Sequence, residues 1–259
     1  MKRLLCCLLV ALGIGRSVAH GAPLDPTHAR WGRLLSQFVR DGAVDYIALV
    51  ASPAELKGYL HDLGSLSEAD FNALPREAQI AFLLNLYNAA TLKLIVDHYP
   101  VSSIRRVGGW FDSPWDLDVV TVFGRAVTLN TLEHQMLRPR YHEPRIHFAV
   151  VCAARGCPPL RSEPYVADRL DEQLSDQARR FLAQPDKNRF DAGTRILTLS
   201  PIFKWYAGDF PSGSRGLTGF LAPFLPEETA SALRSGKVKI EYSPYDWNLN
   251  ILKEPKGSR

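Results

Sequence analysis

The chain has 259 residues, of which 46% are hydrophobic and 22% are charged, and its formal net charge is +4. This composition is that of an ordinary globular protein and excludes a disordered chain. No run of lysine or arginine stands out, so a nucleic-acid partner is not expected. The length is sufficient for one sizeable hydrophobic core. We therefore predict a single globular domain over residues 20–252, followed by a loose polar tail at residues 253–259.

The N-terminus is typical of a secretory signal peptide. Residues 1–3 are basic at two positions, residues 4–15 form an apolar run, and small residues lead up to Ala19. Cleavage after Ala19 would remove two of the four cysteines and three basic residues, which lowers the net charge from +4 to +1. The sequence thus predicts an exported protein, periplasmic or secreted, with no membrane span in its mature form.

The first half of the mature sequence is predicted to be helical. Apolar residues between positions 31 and 38 recur at helical spacing. The Ser-Pro-Ala-Glu pattern at residues 52–55 is typical of a capping box that opens a helix. Ser67 and Asp70 indicate the start of another short helix in the same way.

The longest predicted helix runs from Pro75 to about His98 and is apolar nearly all round, which predicts a buried central helix. Asn85 and Asn88 lie three residues apart on one face of it, and Glu77 could share part of that face. Buried amides need hydrogen-bond partners. We expect them either to brace loops or to orient a catalytic histidine or a substrate carbonyl. Asn85 and Glu77 are therefore candidate substrate-binding residues, and Asn88 is a candidate catalytic residue.

The second half is predicted to contain more strands. Hairpins are expected over residues 119–129 and 190–199, and single strands over Ile146–Val151 and Val238–Tyr242. Short helices are predicted between these strands, over residues 130–137, 168–184, 201–206 and 217–225. The pattern predicts an α+β fold in which a helical N-terminal half, built around the buried central helix, packs on a small antiparallel sheet.

Cys152 and Cys157 are the two cysteines that would remain after cleavage, and they lie on either side of a short loop. Exported proteins with two cysteines usually pair them, which favours a structural disulfide. Cys152 also ends the predicted strand at 146–151, where a rigid scaffold can expose a reactive thiol. A redox-active pair is a weaker alternative, because the Cys-x-x-Cys spacing is absent.

A cysteine nucleophile needs a nearby base to become a thiolate, and His134 and His147 are the candidates. In a regular strand, His147 and Cys152 would face opposite sides of the sheet. This argument favours His134 as the base, with His147 as the alternative. A purely structural interpretation also stands, in which His134 lies on a helix surface and His147 is a satisfied core residue.

The same four side chains could in principle form a Cys2His2 metal site. Their spacing matches no common zinc module, and the sequence contains no HExxH motif. We therefore predict neither a metal nor a cofactor.

Two aromatic clusters with embedded charges, at residues 203–210 and 245–248, could line a pocket or form core beneath a loop. Within them, Lys204 and Asp209 are candidate substrate-binding residues. Asp209 and Asp246 are also candidates for orienting a histidine.

Several of these segments occur in an order that resembles the family called domain of unknown function 547, which is found in bacteria and, joined to other segments, in plants. The resemblance covers roughly residues 70 to 250, and it rests on the runs at residues 82–89, 132–138, 147–152, 199–206 and 245–250. One departure is Leu84, where the pattern has an aromatic residue such as tryptophan. The name of the family implies no activity.

The resemblance implies more weight for Cys152, His134, Asn85 and Asn88 than for other polar residues. It also implies that Cys152 is a more regular feature than Cys157, which favours a thiol role over a structural disulfide.

The function predicted from the sequence is a thiol-dependent hydrolase or acyl-transfer enzyme with a papain-like mechanism, acting on a peptide or peptide-like amide. Cys152 would attack the carbonyl, His134 or His147 would accept the proton, and backbone N–H groups of residues 153–156 would form an oxyanion hole. The alternative is a non-enzymatic periplasmic binding module, braced by a Cys152–Cys157 disulfide, that takes a small peptide-like or thiol ligand. The weaker alternative is a redox-active thiol pair. The oligomeric state stays open.

Overall fold

The computed structural model describes residues 24–109, 112–213, 216–236 and 238–253. The predicted signal peptide and, apart from Lys253, the predicted tail lie outside the described residues. Across these ranges the chain combines many helices with three small β-sheets. The predicted α+β class is confirmed.

The first half contains five α-helices and one short hairpin. Helix α1 forms as predicted, because its apolar stripe is buried against the core. Ser67 caps α4 by accepting a hydrogen bond from the backbone N–H of Asp70 at 3.0 Å. The capping box at residues 52–55 is wrong, since Pro53 is the N-cap residue of α3 and makes no side-chain capping bond. The elements are α1 (Ala29–Phe38), β1 (Val39–Arg40), β2 (Ala43–Val44), α2 (Tyr46–Ala51), α3 (Ala54–Gly64), α4 (Glu68–Ala73) and α5 (Arg76–His98).

Helix α5 is the buried central helix that the sequence predicts. Asn85 and Asn88 are buried with their apolar neighbours, and the helix runs from just after Pro75 to His98. By length and composition α5 could cross a membrane, but 89% of its most apolar window is buried inside the fold. The core helix of a folded domain can be equally long and apolar, and it is buried in the same way.

A hairpin and two short helices follow α5. Strands β3 (Asp118–Val122) and β4 (Arg125–Thr128) pair antiparallel, as predicted. Phe123 and Gly124 turn the chain, with φ of 54° and 74°, the positive values that a tight hairpin turn requires. Residues Thr131–Leu137 then form a helix as predicted, but it is wound as a π-helix, and α6 (Arg138–Tyr141) continues it.

The predicted strand at residues 146–151 is wrong. Pro144–Phe148 form a 3₁₀-helix that opens with Glu143, whose carboxylate accepts the backbone N–H of Arg145 at 3.1 Å. An apolar run of this length fits a strand or a buried helical segment equally well. The consequence is that the alternation argument, which placed His147 and Cys152 on opposite faces, no longer applies.

The rest of the chain builds a three-stranded sheet flanked by helices. The central strand β6 (Ile196–Leu199) pairs antiparallel with β5 (Arg189–Asp191) but parallel with β7 (Lys239–Tyr242). The predicted antiparallel pairing is thus joined by one parallel strand, β7, because the helices between residues 202 and 234 form the long crossover that a parallel pair needs. The elements are α7 (Leu170–Leu182), β5 (Arg189–Asp191), β6 (Ile196–Leu199), α8 (Ile202–Trp205), α9 (Gly216–Leu221), α10 (Glu227–Arg234) and β7 (Lys239–Tyr242).

The buried apolar side chains form two clusters. The larger one, the helical core, surrounds α5 and includes most buried residues between Trp31 and Leu174. The smaller one, the aromatic core, packs Phe148, Phe203 and Phe210 among residues of α7 and β6. Tyr245 packs against both clusters.

Candidate functional site

A cavity of about 220 Å³ lies where the two cores meet. Its lining includes both cysteines and both histidines that the sequence selects, together with Glu133, which the sequence did not indicate. Its wall is largely aromatic. The titratable and sulfur-bearing residues are Glu133, His134, His147, Cys152 and Cys157, and the aromatic residues are Tyr87, Trp115, Trp205, Tyr206, Tyr245 and Trp247.

Asn88 fixes the segment that leads into Cys152. Its amide nitrogen donates to the carbonyl of Ala149 at 3.0 Å, and its amide oxygen accepts from the N–H of Val151 at 2.9 Å. Because both ends of the amide bind backbone, Asn88 acts as a brace and orients no imidazole. The predicted catalytic role of Asn88 thus becomes a positioning role one residue before Cys152.

The loop after Cys152 is tied to the C-terminal segment. The N–H groups of Arg155 and Gly156 donate to the carbonyls of Asn248 and Asp246, both at 2.8 Å. These two N–H groups are therefore not free to form the expected oxyanion hole. A Cβ atom at Gly156 would come within 2.9 Å of the Tyr245 ring, so the glycine lets Tyr245 approach the cysteines.

Cys152 and Cys157 are joined as a disulfide, with their sulfur atoms 2.12 Å apart. The Tyr245 hydroxyl lies 3.2 Å from Sγ of Cys152 and 3.1 Å from Sγ of Cys157. Burial is the main cause that raises the pKa of Tyr245, and the Glu133 carboxylate adds to it. The hydroxyl therefore keeps its proton at neutral pH and can donate to sulfur.

His147 sits on the 3₁₀-helix with only 2% of its surface exposed. Its Nε2 lies 2.7 Å from Oδ2 of Asp209, and its ring stacks on Tyr206 with centroids 4.0 Å apart. Nδ1 is buried and has no hydrogen-bond partner. A carboxylate at Nε2 places the proton there, which leaves Nδ1 as a free basic nitrogen.

Electrostatics keep His147 neutral and Asp209 ionised. Burial lowers the pKa of His147, opposed by the hydrogen bond to Asp209, so the ring is neutral at neutral pH. Hydrogen bonds from Arg138, and then from His147, hold the pKa of Asp209 below its usual value. Arg138 contacts both carboxylate oxygens of Asp209, at 2.6 and 3.0 Å. Asp209 is therefore ionised and oriented by Arg138.

His134 differs from His147 in the nitrogen that it presents. Its Nδ1 accepts from the guanidinium of Arg138 at 2.6 Å, and the residue is exposed on the π-helix. A neutral ring with this contact carries its proton on Nε2 and offers a donor rather than a base. The structure thus favours His147 over His134 as the base, which reverses the order derived from the sequence.

Glu133 is the site residue that the sequence analysis missed. Only 4% of its surface is exposed, and its Oε2 accepts from the Tyr87 hydroxyl at 3.1 Å. An acid beside a histidine on a short helix normally faces solvent, so its type alone gave no signal. The π-helical winding of Thr131–Leu137 changes which positions share a face of the helix. In this winding Glu133 is buried together with Leu132, whereas His134 is exposed.

Three other predicted substrate-binding residues, and the alternative aspartate, lie elsewhere. Asn85 is fully buried, and its amide bridges the backbone N–H and carbonyl of Tyr165 at 3.0 and 2.7 Å. Glu77 is exposed in the first turn of α5, and Lys204 is exposed on α8, and neither lines the cavity. Asp246 accepts from its neighbour Asn248 rather than from a histidine.

Within the described ranges, no group of three or more histidine, cysteine, aspartate or glutamate side chains is placed to hold a metal ion.

A family model described as "Protein of unknown function, DUF547" matches residues 71–182. The matched segment contains Glu133, both histidines and both cysteines of the cavity, whereas Asp209 and Tyr245 lie beyond it. No curated protein and no solved structure matches the chain.

Proposed function

Since residues 71–182 belong to the DUF547 family, whose description assigns no activity, we propose a function from the cavity itself: thiol-dependent hydrolysis, or acyl transfer, of a peptide-like amide. The observation that carries the proposal is the His147–Asp209 pair, which leaves Nδ1 of His147 without a hydrogen-bond partner. His147 and Cys152 line the same cavity. A neutral, oriented imidazole beside a cysteine is the arrangement that activates a thiol.

The reaction follows from these roles. Nδ1 of His147 takes the proton from the Cys152 thiol, and the thiolate sulfur attacks the amide carbonyl carbon. The C–N bond breaks, the leaving amine takes the proton from His147, and an acyl thioester remains on Cys152. Water then attacks the thioester with His147 as base, which releases the carboxylic acid and restores the thiol.

Asp209 and Tyr245 support this chemistry. Asp209 fixes the imidazole and stabilises its positive charge during proton transfer. The Tyr245 hydroxyl lies within hydrogen-bond distance of Sγ of Cys152 and is placed to stabilise the thiolate.

The disulfide sets a condition on the proposal, because a cystine sulfur has no thiolate to offer. The active form is the dithiol, which an external reductant such as dithiothreitol produces while it is itself oxidised. We propose export on the basis of the N-terminal pattern at residues 1–19, and an oxidising compartment would favour the closed disulfide.

Turnover of fluorogenic peptide amides and thioesters, with and without dithiothreitol, tests the proposal. Hydrolysis should require reductant in the wild type, and Cys152→Ala should lower it at least about a thousandfold. Cys157→Ser is the matched control, because it retains Cys152 and cannot close the disulfide, so it should be active without reductant. Equal turnover by Cys152→Ala and wild type would contradict the proposal.

The second candidate is a binding module braced by the disulfide, and the joined sulfurs favour it. In that case reduction would lower stability and no variant would hydrolyse an amide. The weaker redox alternative would instead show transfer of electrons from the reduced pair to a disulfide substrate, with both cysteines required.

A further inference from the structure

Glu133 carries a buried carboxylate whose charge is not matched by the protein. One oxygen, Oε2, accepts from the Tyr87 hydroxyl at 3.1 Å, and the Tyr206 hydroxyl also interacts with this carboxylate. The other oxygen, Oε1, is buried and has no partner at ordinary hydrogen-bond geometry. Within the described ranges, no ion pair joins Glu133 to a basic side chain. A buried charge left in this state is costly unless a partner completes it.

The nearest basic group is already engaged. The Asp209 hydrogen bonds are the main cause that raises the pKa of Arg138, and the Glu133 charge adds to it. The Arg138 guanidinium, however, binds both oxygens of Asp209 and Nδ1 of His134. Arg138 also does not line the cavity. The described residues that line the cavity include Glu133 but no lysine or arginine, so an occupant would meet this carboxylate without a basic side chain beside it.

The wall around Glu133 is built from aromatic rings. Trp205, Tyr245 and Trp247 lie with ring centroids 4.6 to 5.9 Å from one another, and Trp115 meets Trp247 edge-on. Half of the Trp205 surface is exposed. Aromatic faces attract cations through their quadrupole, most strongly for tryptophan, and desolvation strengthens the attraction.

We propose that the cavity binds an organic ammonium group, with Glu133 as its counter-ion and the tryptophan and tyrosine rings as its wall. Its volume of about 220 Å³ is below the usual range for small-molecule pockets, so the bound group is small. An α-amino group and a side-chain amine both fit this chemistry. Where the substrate is concerned, the inference rests on the proposed function: the amide that is cleaved carries a free amino group.

Binding of a matched probe pair tests the subsite without turnover. Benzylammonium and benzyl alcohol differ mainly in charge, and their binding to the disulfide form can be followed by the NMR signals of the indole N–H groups. The wild type should bind benzylammonium at least tenfold more tightly. Glu133→Gln, a neutral variant of the same shape, should bring the ratio close to one, whereas Glu77→Gln, at an exposed acid away from the cavity, should leave it unchanged.

Trp205→Leu provides a second variant, because this half-exposed wall residue can be replaced without opening the core. It should weaken the binding of benzylammonium more than that of benzyl alcohol. Equal binding of the two probes by the wild type, or an unchanged preference in Glu133→Gln, would overturn the proposal. A cation preference without Cys152-dependent turnover would retain the subsite and reject the hydrolase. Cys152-dependent cleavage of neutral amides without a cation preference would retain the hydrolase and reject the ammonium subsite.

Discussion

The helical core and the aromatic core contribute different parts of the candidate site. The helical core holds the cysteine segment through Asn88, which extends from the middle of α5. The aromatic core holds Asp209 next to Phe210, whose ring packs 5.2 Å from that of Phe203 and 6.2 Å from that of Phe148. The proposed nucleophile, Cys152, and the carboxylate of Asp209 therefore come from different clusters.

His147 connects the two clusters, since it directly precedes Phe148 and bonds to Asp209. The helical core therefore holds the segment before Cys152 in place, whereas the aromatic core orients His147, the proposed base, through Asp209. Mutations in the two regions should accordingly separate stability from activity.

The largest effect is expected for Asp209→Asn in the aromatic region. The amide cannot hold the imidazole proton at Nε2 as a carboxylate does, so kcat/KM should fall on the order of 10²–10⁴-fold. The melting temperature should change little, because Asp209 is partly exposed. Asp246→Asn, at an aspartate whose carboxylate accepts from Asn248, is the matched control and should remain within twofold of wild type. Full activity in Asp209→Asn would show that His147 is not the base.

Asn88→Ala should lower stability in the helical region. The carbonyl of Ala149 and the N–H of Val151 would each lose a buried partner, which costs about 2–4 kcal/mol of unfolding free energy in a urea titration. The loop before Cys152 would also lose its brace, so kcat/KM should fall as well.

Asn85→Ala is the control for this variant, because it unpairs two comparable groups at Tyr165 that lie away from the cavity. It should lower stability by a similar amount and leave the kcat/KM of the folded protein near wild type. An equal loss of activity in both variants would mean that Asn88 acts only through stability.

A smaller effect on stability is expected from the protonation of His28, which is buried at the edge of the helical core. Burial is the main cause that lowers its pKa to about 4, and the charge of Asp25 opposes it. Its Nδ1 lies 2.8 Å from the Tyr59 hydroxyl. Between pH 4 and the unfolded value of about 6.5, the unfolded chain binds more protons, so stability is full above that window and falls as the pH drops through it.

This loss should amount to no more than about 3 kcal/mol across the window, in urea titrations repeated at each pH. His28→Gln should flatten the dependence. His147 would act in the same direction, so a His147→Gln variant separates the two contributions. A slope that is unchanged in His28→Gln would contradict the assignment.

The sequence was most informative where local physics decides the structure. Helix α5 was predicted because its apolar character is continuous and Pro75 and Pro100 bound it. The hairpin was predicted because Gly124 lies between two strand-like runs, and glycine readily adopts the positive φ that a tight turn needs. Cys152 and the histidines were selected by chemistry, and the structure brings them into one cavity.

The sequence failed where the structure depends on contacts between distant residues. The run at residues 146–151 has the composition of a strand, yet Asn88 takes up backbone groups there that a sheet would otherwise pair. Glu133 resembles a surface acid until the π-helical winding turns it inward. Asp209 was one of two aspartates selected as candidates for orienting a histidine. Its pairing with His147 joins residues 62 positions apart, so no local pattern could have chosen it over Asp246.

The activation of Cys152 by His147 is best tested by the rate at which iodoacetamide alkylates each cysteine of the reduced protein, mapped by peptide mass over pH 5 to 9. The account predicts that Cys152 reacts much faster than Cys157, with an apparent pKa below the free-thiol value of about 8.5. It also predicts that His147→Asn removes this advantage. Two cysteines that both react as ordinary thiols, or a Cys152 whose rate does not depend on His147, would contradict it.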